Sequence, residues 1–256
     1  MLRKYSNHRS FSDNIKLGSL TAFSAGMVNV ISVIVFFAFT SNVTGHYAIL
    51  AQEIAKGNWY QAVVVFIWIS LFLIGNFTSN YLIIHSKNST GQYMAHAIPV
   101  ILEICALLFV GGYLQFYYSD TLQETEILVG AMLFAMGLQN GLTASISNSA
   151  VKTTHLTGLT TDLGILFSML TKKEYREDRA VRQKTKLLLA IMFSYMAGGI
   201  TSGVFYYKVG NATFLFISLV LLIVILYDYY KLSVTRFIFR RPLIKRLIIK
   251  QGSEQA

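Results

Sequence analysis

Gly26-Met27-Val28-Asn29, then Thr44-Gly45, then Gly75-Asn76-Phe77-Thr78-Ser79: this series decides the fold, because the chain writes it twice. The second copy reads Gly137-Leu138-Gln139-Asn140, Thr157-Gly158 and Gly198-Gly199-Ile200-Thr201-Ser202, in the same order and with matching residue types. Both copies lie in or beside long apolar segments. An internal duplication in such a chain is the sequence trace of a transporter-like fold whose site lies between its halves.

The surrounding composition sets the class. Of 256 residues, 54% are hydrophobic and 13% charged, too apolar for an ordinary soluble domain. Two prolines and 18 glycines suit long, closely packed helices. The single cysteine, Cys105, excludes an intrachain disulfide framework and reads as a small packing residue. Crossing the hydrocarbon takes about 20 apolar residues, and six runs qualify: Leu17–Phe39, Trp59–Ile84, Tyr93–Tyr118, Ile127–Ser149, Thr185–Tyr207 and Asn211–Tyr230. The first is too long for a signal-peptide core and lacks a small-residue cleavage site. The expected partner of this surface is the lipid bilayer.

Charge gives orientation. All of the 22 Lys and Arg residues except Lys56 and Lys208 fall on one side: Arg3 to Lys16, Lys87, Lys152 to Lys186, and the tail after Tyr230. Asp120, Glu124 and Glu126 fall opposite. The positive-inside rule then places both termini in the cytoplasm with an even number of crossings. The net charge of +10 is mostly topogenic, and no nucleic-acid role is expected of the basic tail.

Each copy holds three crossings, an odd number, so the second enters the membrane upside down relative to the first. The expected fold is an all-α integral membrane protein. Its six transmembrane helices form two inverted three-helix repeats, 17–118 and 127–230, within one membrane domain ending in a basic cytoplasmic tail, 231–256. The second copy is longer between its Thr-Gly and Thr-Ser blocks because it holds the hydrophilic run Lys172–Lys184. Tyr47–Lys56 and Leu159–Leu170 read as short helices, either interfacial or re-entrant. The alternative, in which both also cross, gives eight spans but scatters the basic loops. Thr44 and Thr157 have the chemistry of N-caps, and Gly45 and Gly158 leave the backbone open to a ligand. If both short helices dip inward, their positive ends converge on a site for an anion or carboxylate.

Several polar groups interrupt the apolar runs. Asn29 and Asn140 match across the copies, each accompanied a turn later by Ser32 or Thr143. They read as interhelical hydrogen-bonding groups or as the lining of a polar cavity. Gly137-x-x-x-Gly141, Gly199-x-x-x-Gly203 and the run Gly18, Ala22, Gly26 mark close helix contact at the seam between copies, with a homodimer seam as the alternative. Glu103 sits near the centre of its span and His96 shares its face. An acid there is a candidate for proton coupling, or else a neutral, hydrogen-bonded group. Asp162 is expected to cap the second short helix.

Enzyme signatures are lacking: there is no His-Glu-x-x-His, Gly-x-Ser-x-Gly, phosphate-binding glycine loop or Cys-x-x-Cys. His46 and Glu53 alone do not define a metal site. Catalytic activity, a cofactor and a resident metal are therefore not expected.

Gly26, Asn29 and Ser32, then Ser41-Asn42-Val43-Thr44-Gly45-His46, then Thr153-Thr154-His155-Leu156-Thr157-Gly158 together resemble the YoaK family. The resemblance runs from about Leu17 to Tyr230. It implies a bacterial plasma-membrane protein of six helices from a domain-of-unknown-function family, and it supplies no substrate, cofactor or catalytic residue. The expected function is a small-solute transporter or channel-like permease for a polar or anionic compound. Its substrate-binding candidates are Asn29, Ser32, Thr44, Gly45, Asn140, Thr143, Thr157 and Gly158. The competing expectation is a non-transporting accessory or scaffold protein.

Overall fold

In the computed structural model of the protein, which describes residues 10–86 and 89–226, capping residues set where the helices begin. α1 (Phe11–Phe36) starts at Ser10, whose hydroxyl accepts from the Asp13 N–H while the Asp13 carboxylate accepts from the Ser10 N–H. α5 (Leu122–Ser147) uses the same reciprocal box, Thr121 with Glu124. Each box satisfies orphan donors of the first turn. Both helices therefore open ahead of the expected Leu17 and Ile127.

Between them lie α2 (Val43–Ala55), α3 (Trp59–Ile84) and α4 (Ser89–Phe116). After α5 come α6 (Leu156–Leu170), the short α7 (Lys173–Glu177) and α8 (Arg179–Val209). A 3-10 turn at Gly210–Ala212 leads into α9 (213–226). Among the described residues there is no strand. Five helical stretches are long and apolar enough to cross a bilayer: α1, α3, Tyr93–Phe116 of α4, α5, and 179–226. The protein is of the multi-pass membrane type.

The stretch 179–226 is not one rod. Gly210 takes φ 59°, a left-handed backbone that glycine enters without steric cost. Phe205 and Phe216 stack with ring centroids 4.3 Å apart, where continuous helix would separate them by about 16 Å. The chain doubles back. α9 then runs antiparallel to α4: Asn211 donates to the Leu114 carbonyl, Phe214 lies against Gly111, and the Tyr93 hydroxyl donates to the Ile225 carbonyl at 3.0 Å. One face of α9 (Phe214, Ile217, Leu221, Val224) is buried, and the other (Leu215, Leu219, Leu222, Leu226) is exposed.

Three local expectations need correction. The run Lys172–Lys184 is mostly helical, because Asp178 caps α8 by accepting from the Ala180 N–H at 2.7 Å. Cys105 is on an exposed face of α4 and does not pack inside. Glu126 belongs to α5 and is 9% exposed, its carboxylate accepting from the Tyr60 hydroxyl and Gln61 amide. Arg3, Lys4, Arg9, Lys87, residues 227–230 and the tail 231–256 lie outside the described residues.

The centre of the molecule is one set of contacts made twice. A side chain at Gly26 would meet the Tyr195 carbonyl, and one at Gly198 the Phe23 carbonyl, so α1 and α8 touch backbone to backbone. Gly137 meets the Phe72 carbonyl and Gly75 the Phe134 carbonyl, joining α5 to α3 in the same way. Ser202 donates to the Met27 carbonyl at 2.9 Å, and Ser79 to the Leu138 carbonyl at 2.6 Å. Both pairs run parallel, since Gly18 meets Ile191 at one end of the first while Ser202 meets Met27 further along. Each contact joins an element of one sequence copy to an element of the other. Helices in lipid gain nothing by hiding apolar surface from each other, so this backbone approach and these hydrogen bonds hold them.

Gly137→Leu and Gly198→Leu are expected to lose the monodisperse folded protein on size-exclusion chromatography in detergent, because neither neighbouring carbonyl can retreat. Gly112→Ala and Gly164→Ala, where a Cβ meets nothing within 4 Å, are expected to keep the wild-type melting temperature.

Candidate functional site

α1 and α5 end alike. α1 passes into one left-handed residue, Phe37 (φ 54°), and α5 into two, Asn148 (φ 52°) and Ser149 (φ 59°), and the chain then folds back along the helix it has just left. A returning strand of non-helical backbone needs hydrogen-bond partners that lipid cannot give. Asn29 supplies them in the first copy: its Oδ1 accepts from the Thr40 N–H at 3.0 Å and from the Ser41 hydroxyl at 3.2 Å. Asn140 does so in the second: its Oδ1 accepts from the Thr154 hydroxyl at 2.9 Å and lies 3.4 Å from that of Thr153. Thr40 and Ser41 stand where Thr153 and Thr154 stand, each pair just ahead of a short helix.

The short helices start where the loops are pinned. Asn42 caps α2, its Oδ1 accepting from the Gly45 N–H at 3.1 Å. His155 occupies the cap position of α6 and offers no side-chain bond. Thr44 and Thr157 therefore sit within the first turns of their helices, two residues past the cap positions, and are not the caps. Asp162 lies well inside α6, too far along to cap it, and pairs with Lys184 of α8 at 3.0 Å. At 13 and 15 residues, α2 and α6 fall short of the roughly 20 needed to cross.

The cap residue of α2, Asn42, and the first turn of α6, through Leu156 and Thr157, open on one cleft of about 430 Å³. Its polar wall is Asn29, Ser41, Asn42, Thr154, Thr157 and Tyr195, and its apolar wall includes Val30, Ile34 and Leu156. Among the described residues no charged side chain lines it. The field comes instead from two helix N-termini, each the positive end of its peptide dipoles. Tyr195 closes the floor, its hydroxyl accepting from Asn29 Nδ2 at 2.7 Å.

The sequence candidates divide accordingly. Asn29 and Thr157 line the cleft, while Asn140 is 6% exposed behind it and reaches it through Thr154. Ser32 and Thr143 are fully buried, with their hydroxyls donated to the Ala38 and Gln139 carbonyls. Thr44 and Gly45 lie in the first turn of α2, away from the cleft wall. Gly158 opens on a second cleft of about 530 Å³, which it shares with Lys152, His155, Asp162 and Lys184. The first turn of α6 thus stands between the two. Glu103 is in neither: it is fully buried in α4, and both carboxyl oxygens lack a hydrogen-bond partner. His46 is occupied, bonded through Nε2–H to the Phe39 carbonyl, and Glu53 bonds to Lys56 and Asn58.

Tyr195 is the residue that sequence reasoning missed. Its counterpart in the first copy is Phe72, so repeat matching gives it no signal. Ser41 and Thr154 were legible as hydroxyl residues three places ahead of each Thr-Gly.

Long apolar helices packed on glycine seams, with a polar cleft beside two helix starts, define the class as a multi-pass membrane protein. A family model described as "Protein of unknown function (DUF1275)" matches residues 17–227. The chain belongs to that family, in agreement with the YoaK-like motifs. No curated protein matches the chain, and no solved structure does.

Asn140→Leu removes the partner of the buried Thr153 hydroxyl and of the Thr154 hydroxyl at the cleft wall, and about 1–3 kcal/mol of stability should go with it in denaturant unfolding in micelles. The His155 imidazole is held below its ordinary pKa, first by loss of water against the cleft wall and then by Lys152. Removing that cation in Lys152→Ala is expected to raise the His155 pKa, followed by NMR titration of the ring protons. The sign is fixed: a depressed imidazole favours the neutral form, so acidification charges the second cleft only below the ordinary value.

Proposed function

We propose that the protein is a small-solute transporter or channel-like permease of the bacterial plasma membrane. It crosses six times as two inverted three-helix repeats, α1–α4 and α5–α9, with both termini in the cytoplasm. Its polar or anionic substrate binds in the cleft where the N-terminal turns of α2 and α6 meet. The observation that carries this reading is that the cap of one short helix, Asn42, and the first turn of the other, Leu156 and Thr157, come from different sequence copies and line the same cleft. Paired half-helix ends of this kind are how transporters present backbone donors to an anionic group.

The doubled glycine contacts support the repeats, and the odd number of long helices per copy supports their inversion. In this reading Thr157 offers a free hydroxyl and the uncapped first turn of α6 offers backbone N–H groups to a carboxylate. Glu103, buried without a bonding partner, takes up and releases the coupled proton. The second cleft, with Lys152, His155 and Lys184, is the cytoplasmic vestibule.

One observation favours the scaffold alternative: the Asn29 and Asn140 bonds go entirely to the protein. A single substitution separates the two readings. Thr157→Val removes a cleft hydroxyl to which no internal bond is assigned, so its melting temperature should equal that of the wild type. In proteoliposomes, uptake of labelled small carboxylates should fall by roughly tenfold, the size of one lost hydrogen bond to a charged group. Glu103→Gln should retain downhill exchange and lose accumulation driven by a pH gradient. No protein-dependent flux for any solute in wild type and variant alike would leave the scaffold reading standing.

A further inference from the structure

The polar cleft is not closed on its lipid side. Val30, Ile34 and Tyr195 belong to its wall and also to the wall of a groove of about 450 Å³ between α1 and α8. The rest of that groove is apolar: Met196, Gly199, Ile200, Gly203 and Val204, with Tyr207 at the end. Met196, Ile200, Val204 and Tyr207 are 55%, 62%, 49% and 80% exposed, on surface that faces hydrocarbon in a multi-pass protein. Gly203 sets the depth. A Cβ there would only touch Val30 and Ile34, at 3.8 and 4.0 Å, so the missing side chain leaves space and not a backbone contact.

Gly203 therefore differs from Gly26 and Gly198 on the same seam, which are filled by neighbouring backbone. The seam is shut over its first half and open over its second. The opening leads from lipid to Tyr195, whose ring forms part of both walls and whose hydroxyl bonds Asn29 at 2.7 Å.

We propose that the substrate is a membrane-borne amphiphile, a carboxylic acid with one hydrocarbon arm, which enters sideways between α1 and α8. This rests on the permease reading of the cleft and narrows it. The head leaves the interface for the polar cleft, where the first turn of α6 and Thr157 replace its lost water. The arm stays in the groove over Gly203, in surroundings as apolar as the bilayer it came from. The groove adds little affinity over lipid, because hydrocarbon is equally at home in both. Its role is to let the head travel inward without dragging the arm through polar surface. A short, fully water-soluble acid would leave the groove empty.

The test uses full-length protein in nanodiscs and dodecanoic acid carrying a terminal diazirine. Photolysis of the wild type is expected to label the Met196–Tyr207 peptide, with unlabelled dodecanoate competing at far lower concentration than acetate. Gly203→Leu fills the groove, and Ile200→Trp covers it from a side chain already exposed, so folding of the second variant is secure. Both should cut labelling by about fivefold or more at unchanged melting temperature, and Thr157→Val should also reduce it by removing a head contact. Labelling unaffected by the groove variants, or equal on lipid-exposed positions of α3 such as Leu73 and Phe77, overturns the proposal. If small-carboxylate flux still depends on Thr157 in that case, the permease reading survives alone; if that flux is missing too, both fall.

Discussion

Irregular backbone inside an apolar bundle must find its hydrogen bonds within the protein, and the rest of this structure follows from how that is done. α1 and α5 each stop in a left-handed residue and send the chain back beside themselves. Without Asn29 and Asn140 the returning segments would present unbonded N–H and hydroxyl groups to their surroundings. With them, Thr40, Ser41, Thr153 and Thr154 are held to the parent helix. Held there, the loops bring the cap of α2 and the first turn of α6 to one cleft.

The glycine seams make room for the same arrangement. α1 against α8 and α5 against α3 approach until backbone meets backbone, which fixes both register and direction. Bulkier seams would move the return loops off their asparagines. The two devices are coupled in sequence: Gly26 and Asn29, like Gly137 and Asn140, lie one turn apart on the same helix. One residue makes the close contact and its neighbour up the helix binds the loop. The copies are not identical in chemistry, however. Tyr195 places a hydroxyl on Asn29 where the other copy has Phe72, so the cleft is built on one side of the pseudo-symmetric pair.

Charge is kept away from the centre. The cleft between α2 and α6 is polar through amides, hydroxyls and helix ends, while Lys152, Lys184 and Asp162 sit beyond the first turn of α6. Aligned peptides put partial positive charge at a helix start without the desolvation cost that a buried lysine would carry. Glu103 stands apart as the acid enclosed in α4 without a partner.

The amino-acid sequence by itself determined the class, the long helices, the duplication and the special standing of Asn29 and Asn140, because periodic hydrophobicity and repeated residue types are local properties. It also marked where the short helices lie, through Thr-Gly, but misplaced their caps by two residues. The capping boxes at Ser10 and Thr121 and the Asp178 cap were present as local patterns, yet apolar-run edges masked them. Tertiary structure alone decided that Ser32 and Thr143 turn inward to carbonyls, that Tyr195 meets Asn29 across the seam, and that Gly203 is open where Gly198 is shut. Each of these depends on which side chain of a distant helix arrives at a given height. That is set by packing of backbone against backbone over the whole bundle, and no window of neighbouring residues contains it.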